Sequence, residues 1–205
     1  LDIYMEDHGD APYISTACPS VVELVRKYFP EDINALAPVP SPLQTHSAYL
    51  RKLYGNDIVI VFIGPCIAKK VEADEHPGYP DVSLTFREVR EWLEEENIDL
   101  ANMDTGIPVD FVPAKAGMAA IYPIENGQIE TSKIWQGRFV EQSALSVSGI
   151  TRVMSSLQGT HTTDFLEALN CDGGCISGPG TSHLDSAVRR KKAVASYVLE
   201  RLNDP

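Results

Sequence analysis

Residues Ile58 to Ile63 read Ile-Val-Ile-Val-Phe-Ile, a run without a polar break. Side chains branched at Cβ are stiff and favour extended backbone. A run with no polar alternation predicts a strand buried on both faces, which is the signature of a parallel sheet covered by helices. The turn Gly55-Asn56-Asp57 precedes it and Gly64-Pro65-Cys66 ends it. Helical patterns lie on both sides. Pro19-Ser20 opens one that carries Val21, Val22, Leu24, Val25 and Tyr28 and stops at Pro30. Ser41 caps a second, and Thr85 with Glu88 forms a capping box for a third. Further helices are expected at 143–157, 162–170 and 183–203, with a hairpin pairing Ala120–Ile124 with Ile129–Trp135 around Glu125-Asn126-Gly127. Strands alternating with helices predict an α/β chain with a mainly parallel sheet flanked by helices.

The 205 residues, 43% hydrophobic, suffice for one domain or two small lobes with a real core. A net charge of −12 speaks against nucleic acid as a partner, because binding it needs a basic face. The basic cluster Arg189-Arg190-Lys191-Lys192 reads as a solvated face near a helix end, where it complements the macrodipole. No apolar run reaches the roughly 18 residues of a membrane span, and no leader is visible at the start. The expected location is cytoplasmic, with no membrane partner. The chain opens at Leu1 in polar sequence and reads as a fragment or processed product. Its histidines, His8, His46, His76, His161 and His183, show no ligand spacing.

Cysteine is the informative residue. Cys18, Cys66, Cys171 and Cys175 each fall where an element is expected to end. Cys18 precedes a helix start, where the dipole favours a thiolate. Cys66 follows a strand, and ligands of open α/β sheets gather beyond the carboxyl ends of strands. Cys171 and Cys175 flank Asp172-Gly173-Gly174, whose glycines let backbone pass close to a bulky group and aim N–H groups at it. Zinc sites usually contain C-x2-C pairs, and this chain has none. Four dispersed thiolates fit an iron–sulfur cubane better, with zinc, and with buried or disulfide-bonded cysteines, as the alternatives.

Three segments carry a resemblance. Ser15-Thr16-Ala17-Cys18-Pro19 is similar to T-S-C-C-P. Gly64-Pro65-Cys66-Ile67-Ala68-Lys69-Lys70-Val71-Glu72 resembles M-P-C-x-x-K-K-x-E. Phe165-Leu166-Glu167-Ala168-Leu169-Asn170-Cys171-Asp172-Gly173-Gly174-Cys175 resembles F-x-E-x-M-A-C-x-G-G-C. These are the three signature motifs of FeFe-hydrogenases, in order, and they hold every cysteine. The resemblance implies a partial catalytic domain spanning residues 1–205 of a two-lobed fold, with its upstream part missing. It implies an H-cluster, a 4Fe–4S cubane joined through a cysteine sulfur to a di-iron unit carrying CO and cyanide. Cys18, Cys66, Cys171 and Cys175 would hold the cubane, and Cys175 would bridge. Lys70 would donate to a cyanide, and Ser41, Pro42, Gly64, Pro65 and Leu169 would line the di-iron pocket. The implied partners are H2 and protons, and an electron-transfer domain or ferredoxin-type clusters.

The sequence also departs from these motifs. Ala17 stands where the family has the cysteine that relays protons, and Ala37 falls at the next relay hydroxyl. Gly64 and Leu169 replace methionines beside the di-iron unit. Cubane ligands intact and relay cut is the pattern of the family's sensory branch. It implies slow, reversible H2 oxidation that reports H2 to a downstream signalling protein. Without its upstream walls this stretch can fold and still fail to hold the complete H-cluster. The alternative is a non-catalytic iron–sulfur carrier or assembly protein related to hydrogenases.

Overall fold

The computed structural model describes residues 13–99, 102, 116–131, 144–158, 164–181 and 185–202. Among these residues, five strands, β1 (Tyr13–Ile14), β2 (Val61–Gly64), β3 (Val82–Thr85), β4 (Ala144–Ser148) and β5 (Phe165–Leu169), form two parallel sheets. The larger has the order β1-β5-β4, extended at its β1 edge by a bridge from Ile14 to Leu36. The smaller pairs β2 with β3. The helices are α1 (Pro19–Tyr28), α2 (Pro42–Tyr54), α3 (Ala68–Glu75), α4 (Phe86–Glu95), α5 (Gly127–Thr131), α6 (Ile150–Leu157) and α7 (Ala187–Leu202). The expected class, a parallel α/β fold, is the observed one. No described helix is long and apolar enough to cross a membrane.

The larger sheet organises the core. Val21 and Val25 of α1 and Val153 and Leu157 of α6 cover Ile14, Leu166, Ala168 and Val147 on one face. Tyr13 and Phe165 face the other way, against Ala37 and Ile129 of α5. In the smaller sheet, α3 and α4 cover a single face. The run Ile58–Ile63 is therefore not buried on both sides. Ile60 is buried, but Val59, Val61 and Ile63 are 74%, 47% and 48% exposed. Two strands with one covered face give alternation, whatever the hydropathy of the outer residues.

The capping expectations hold. The Ser41 and Thr85 hydroxyls accept from Gln44 and Glu88 N–H, and both reciprocal bonds are present. Three expectations fail. The region 143–157 is β4, then Gly149 at φ +86°, then α6. The expected helix at 162–170 is β5, the fully buried central strand; a short apolar run looks the same in a buried strand and a buried helix. The expected hairpin is a 3-10 turn (Gly117–Ile121) followed by α5, and residues 132–135 lie outside the described ones. Gly127 permits this tight return, because a Cβ there would lie 2.0 Å from the Ile121 carbonyl oxygen. Arg189–Lys192 sits in the first half of α7, so the macrodipole opposes it instead of favouring it.

Arg51 ties α2 to the smaller sheet. Its guanidinium donates to the Gly78, Asn56 and Ile58 carbonyls and to both oxygens of Asp81 at 2.8 and 2.7 Å. Asp81 Oδ2 in turn accepts the Ile60 N–H at 2.7 Å, next to β2.

Candidate metal centre

The four cysteines come from four places in the fold. Cys18 is the N-cap of α1 and is buried. Cys66 lies between β2 and α3, and its sulfur accepts from the first-turn N–H groups of Ala68 and Lys69. Cys171 follows β5 at the carboxyl edge of the larger sheet. Cys175 opens a 3-10 turn (Cys175–Ser177) packed against α7. All four are free thiols.

Their charges are coupled to one another. Burial pushes Cys175 up to about 12, with the charges of Cys18, Cys66 and Cys171 adding and Lys69 opposing. Burial likewise raises Cys171 to about 11, helped by Cys18 and Cys66. Burial also raises Cys66, against its two N–H donors. Such a set binds metal only as thiolates, and a cationic iron centre supplies the charge that offsets burial and mutual repulsion. Among the described residues, no three His, Cys, Asp or Glu side chains converge closely enough to hold a single ion. Four free thiols with no histidine among them are the donor type an iron–sulfur cubane takes. The donor set therefore fits an iron–sulfur cluster.

The loop after Cys171 is locked by backbone contacts. Gly173 and Gly174 adopt φ +79° and +98°, where side chains are rare. Their N–H groups are not free for a cluster: Gly173 donates to Ser148 Oγ at 2.8 Å and Gly174 to the Cys171 carbonyl at 3.0 Å. Gly174 instead packs on Pro123–Glu125, where a Cβ would meet the Pro123 oxygen at 2.6 Å. Downstream, the Gly180 N–H donates to the Pro65 carbonyl at 2.8 Å, joining the Cys175 loop to the Cys66 loop. A Cβ on Gly178 would lie 2.5 Å from the same carbonyl oxygen and 3.0 Å from that of Cys175. Gly178→Ala should therefore force the two loops apart, an overpacking cost of about 1–3 kcal/mol. Anaerobic reconstitution of this variant is expected to yield far less iron and sulfide per chain than wild type, with secondary structure retained. Full iron content would show that the loops have slack.

The lysines separate sharply. Lys70 pairs with Glu88 at 2.7 Å on a half-open surface. That pair, with the Thr85 N–H and hydroxyl, holds the Glu88 carboxyl down at about 2. Lys69 is 8% exposed, bonds Glu72 at 2.6 Å, and is the lysine whose charge reaches Cys66 and Cys175. Sequence reading chose Lys70 and passed over this pair. The signal was available, because Lys69 and Glu72 are three apart on a helix and share a face.

The remaining expected pocket residues divide. Ala17 and Pro42 line a cavity of about 560 Å³, together with Ala37, Ser15, Thr16 and Gln128. Ser41 is buried and its hydroxyl is engaged in capping α2. Pro65 contributes the carbonyl just described, and Leu169 lies in the core cluster under the larger sheet. Gly64 ends β2, and the Phe62 ring occupies the space a side chain at 64 would take, 2.5 Å from a Cβ placed there.

Comparison with known proteins gives the family. The chain is 22% identical over 227 residues to iron hydrogenase 1 of Clostridium pasteurianum, covering 88% of this chain and 40% of that protein. It is 23% identical over 236 residues to the NADP-reducing hydrogenase subunit HndD of Solidesulfovibrio fructosivorans, with 91% and 40% covered. The chain thus spans about two-fifths of the length of these relatives. A variant of the FeFe-hydrogenase HydA1 from Chlamydomonas reinhardtii shares the fold with a TM-score of 0.65 at 19% identity, over 95% of this chain and 68% of that one. The family described as iron only hydrogenase large subunit, C-terminal domain, matches residues 2–179, and the chain belongs to it.

Proposed function

We propose that this chain is the H-cluster-holding part of a hydrogenase that oxidises H2 slowly and reversibly and serves to report H2. The observation that supports the reading is four mutually coupled free thiols, two of which, Cys66 and Cys175, also feel the charge of the buried Lys69. Cys18, Cys66, Cys171 and Cys175 would hold the cubane, and Cys175 would be the residue shared with the di-iron unit. When bound, that cofactor supplies the site at which H2 is split or formed.

Lys69 is the lysine suited to an anionic cyanide, because a desolvated ammonium makes the strong charge-assisted bond such a ligand needs. Lys70 is spent on Glu88. The Phe62 ring stands in for the missing methionine side chain beside Gly64. Ala17 and Ala37 share one cavity wall and carry no exchangeable side-chain hydrogen. Loss of positioned acid–base groups typically slows turnover by about 10²–10⁴, which suits a reporter better than a producer of H2. Electrons would leave through ferredoxin-type clusters on a partner or another domain, and the report would pass to a signalling protein.

The test is an infrared spectrum of the anaerobically matured protein in the window of metal-bound CO and cyanide. Sharp bands in both regions are expected. Silence there, with iron and sulfide bound and maturation working on a control hydrogenase, would retire this reading in favour of a cluster carrier without a di-iron unit.

A further inference from the structure

Glu167 is a charged residue in the central strand of the larger sheet, 1% exposed. Its Oε2 accepts the Ile129 N–H at 3.2 Å, while Oε1 is buried with no hydrogen-bond partner. The sheet register shows what flanks it. Ser146 of β4 is its direct partner. On the other side, Tyr13 and Ile14 pair with Phe165 and Leu166, and the Ser15 N–H continues the ladder to the Leu166 carbonyl at 2.9 Å. Ser15 therefore lies beside Glu167 on the same face, one strand spacing of about 4.8 Å away. A polar row, Ser15–Glu167–Ser146, crosses all three strands.

The two ends of the row differ. Ser15 lines the cavity that holds Ala17 and Ala37 in its wall, and its hydroxyl donates to Gln128 Oε1 at 2.6 Å. Ser146 is half-buried and accepts the Asn126 N–H at 2.8 Å, leaving its own hydrogen unspent. The bland role for Glu167 is to cap the N-terminus of α5. Only an ionised carboxylate does that well, and this one resists ionising. Burial pushes it up to about 7, although the Ile129, Gln128 and Asn126 N–H groups pull it down; Glu125 adds to the rise. The other charged or titratable groups on the packed elements are Tyr13, Glu130, which accepts from Asn126 Nδ2, and Arg152, already bound to Glu125 and Asp172.

We propose that Ser146, Glu167 and Ser15 form a proton conduit across the sheet, leading from the Asn126 edge to the cavity beside Ala17, with Glu167 as the storing group. The inference rests on the hydrogenase reading and deepens it, since it supplies protons where two alanines interrupt the usual relay. Because Oε1 has no partner at rest and Ser15 is bonded to Gln128, transfer requires both side chains to turn: Ser15 swings its O–H from Gln128 to cavity water and, as that hydrogen leaves, takes the proton from Glu167 Oε1. Ser146 refills the carboxylate from outside in the same manner. Only O–H bonds break and form, and no electron moves along the row.

The experiment uses the matured, cofactor-loaded protein. In wild type the CO and cyanide bands are expected to shift as pH passes through about 7. In Glu167→Gln the bands should persist at full intensity without that shift, and H2 oxidation should fall about tenfold or more. Ser15→Ala should lower the rate similarly while keeping the carboxyl titration, and Glu167→Asp should retain the shift. A second readout is independent of the cofactor. The folded carboxyl holds its proton above its ordinary value of 4.5, so stability is full at low pH and falls as pH rises towards and through 7. Glu167→Gln should flatten that slope. Unchanged band shifts and rates in Glu167→Gln would overturn the conduit and leave a helix cap. If that variant does not fold, a wild-type rate in Ser15→Ala overturns it instead. Absence of CO and cyanide bands in wild type would defeat the hydrogenase reading itself, and the conduit with it.

Discussion

Lys69→Met is expected to cost about 3–5 kcal/mol of stability, because it leaves the Glu72 carboxylate buried without its partner. Urea denaturation of the cofactor-free protein would measure it. The same change at Lys70 removes a surface pair, the kind that contributes little, and should be close to silent. Structural and cofactor roles can be told apart. Replacing both members, Lys69→Met with Glu72→Leu, removes the stranded charge, and buried ion pairs exchanged for apolar residues of similar volume are often neutral. That double variant should regain stability yet fail to retain cyanide-bearing cofactor. If Lys70→Met proves the more damaging of the two single changes, the assignment to Lys69 is wrong.

Ala17→Cys should accelerate H2 oxidation by the matured protein, by a factor within the range of about 10²–10⁴ that positioned acid–base groups supply. The new thiol enters the wall of a cavity of about 560 Å³, so space is available without repacking. Ala37 remains beside it, so the gain is expected toward the lower end unless Ala37→Ser accompanies it. Turnover per bound iron, measured at several pH values, is the appropriate readout. A matured Ala17→Cys protein no faster than wild type would mean that proton delivery at this position does not limit the rate.

The candidate site stands out in the sequence because its cysteines sit beside strong local signals. Cys18 is followed by a helix-starting proline, Cys66 closes an apolar run, and Cys171 and Cys175 bracket two glycines, whose N–H groups the structure engages with Ser148 and Cys171 instead of leaving them free. Capping at Ser41 and Thr85 was equally legible, since it depends only on residues three apart. What failed was decided by tertiary partners. Phe165–Leu169 is a strand because β1 and β4 flank it, and nothing within those residues says so. Ile58–Ile63 is half open because only two strands pair there. Nor does the sequence say which of two adjacent lysines α3 turns inward, or which register joins distant strands.

The two-residue strand β1 carries a consequence for the order of events in a newly made chain. It docks on β5, near the opposite end of the sequence, and it leads directly into Cys18. Ser15 likewise reaches across 113 positions to Gln128. Contacts between such distant segments form slowly, because the whole intervening loop must be closed first. Cys18, made before the other three thiols, is thus among the last of them to find its place. Iron delivered before β5 is synthesised would meet scattered thiols, so insertion waits until β5 is made and β1 has docked on it.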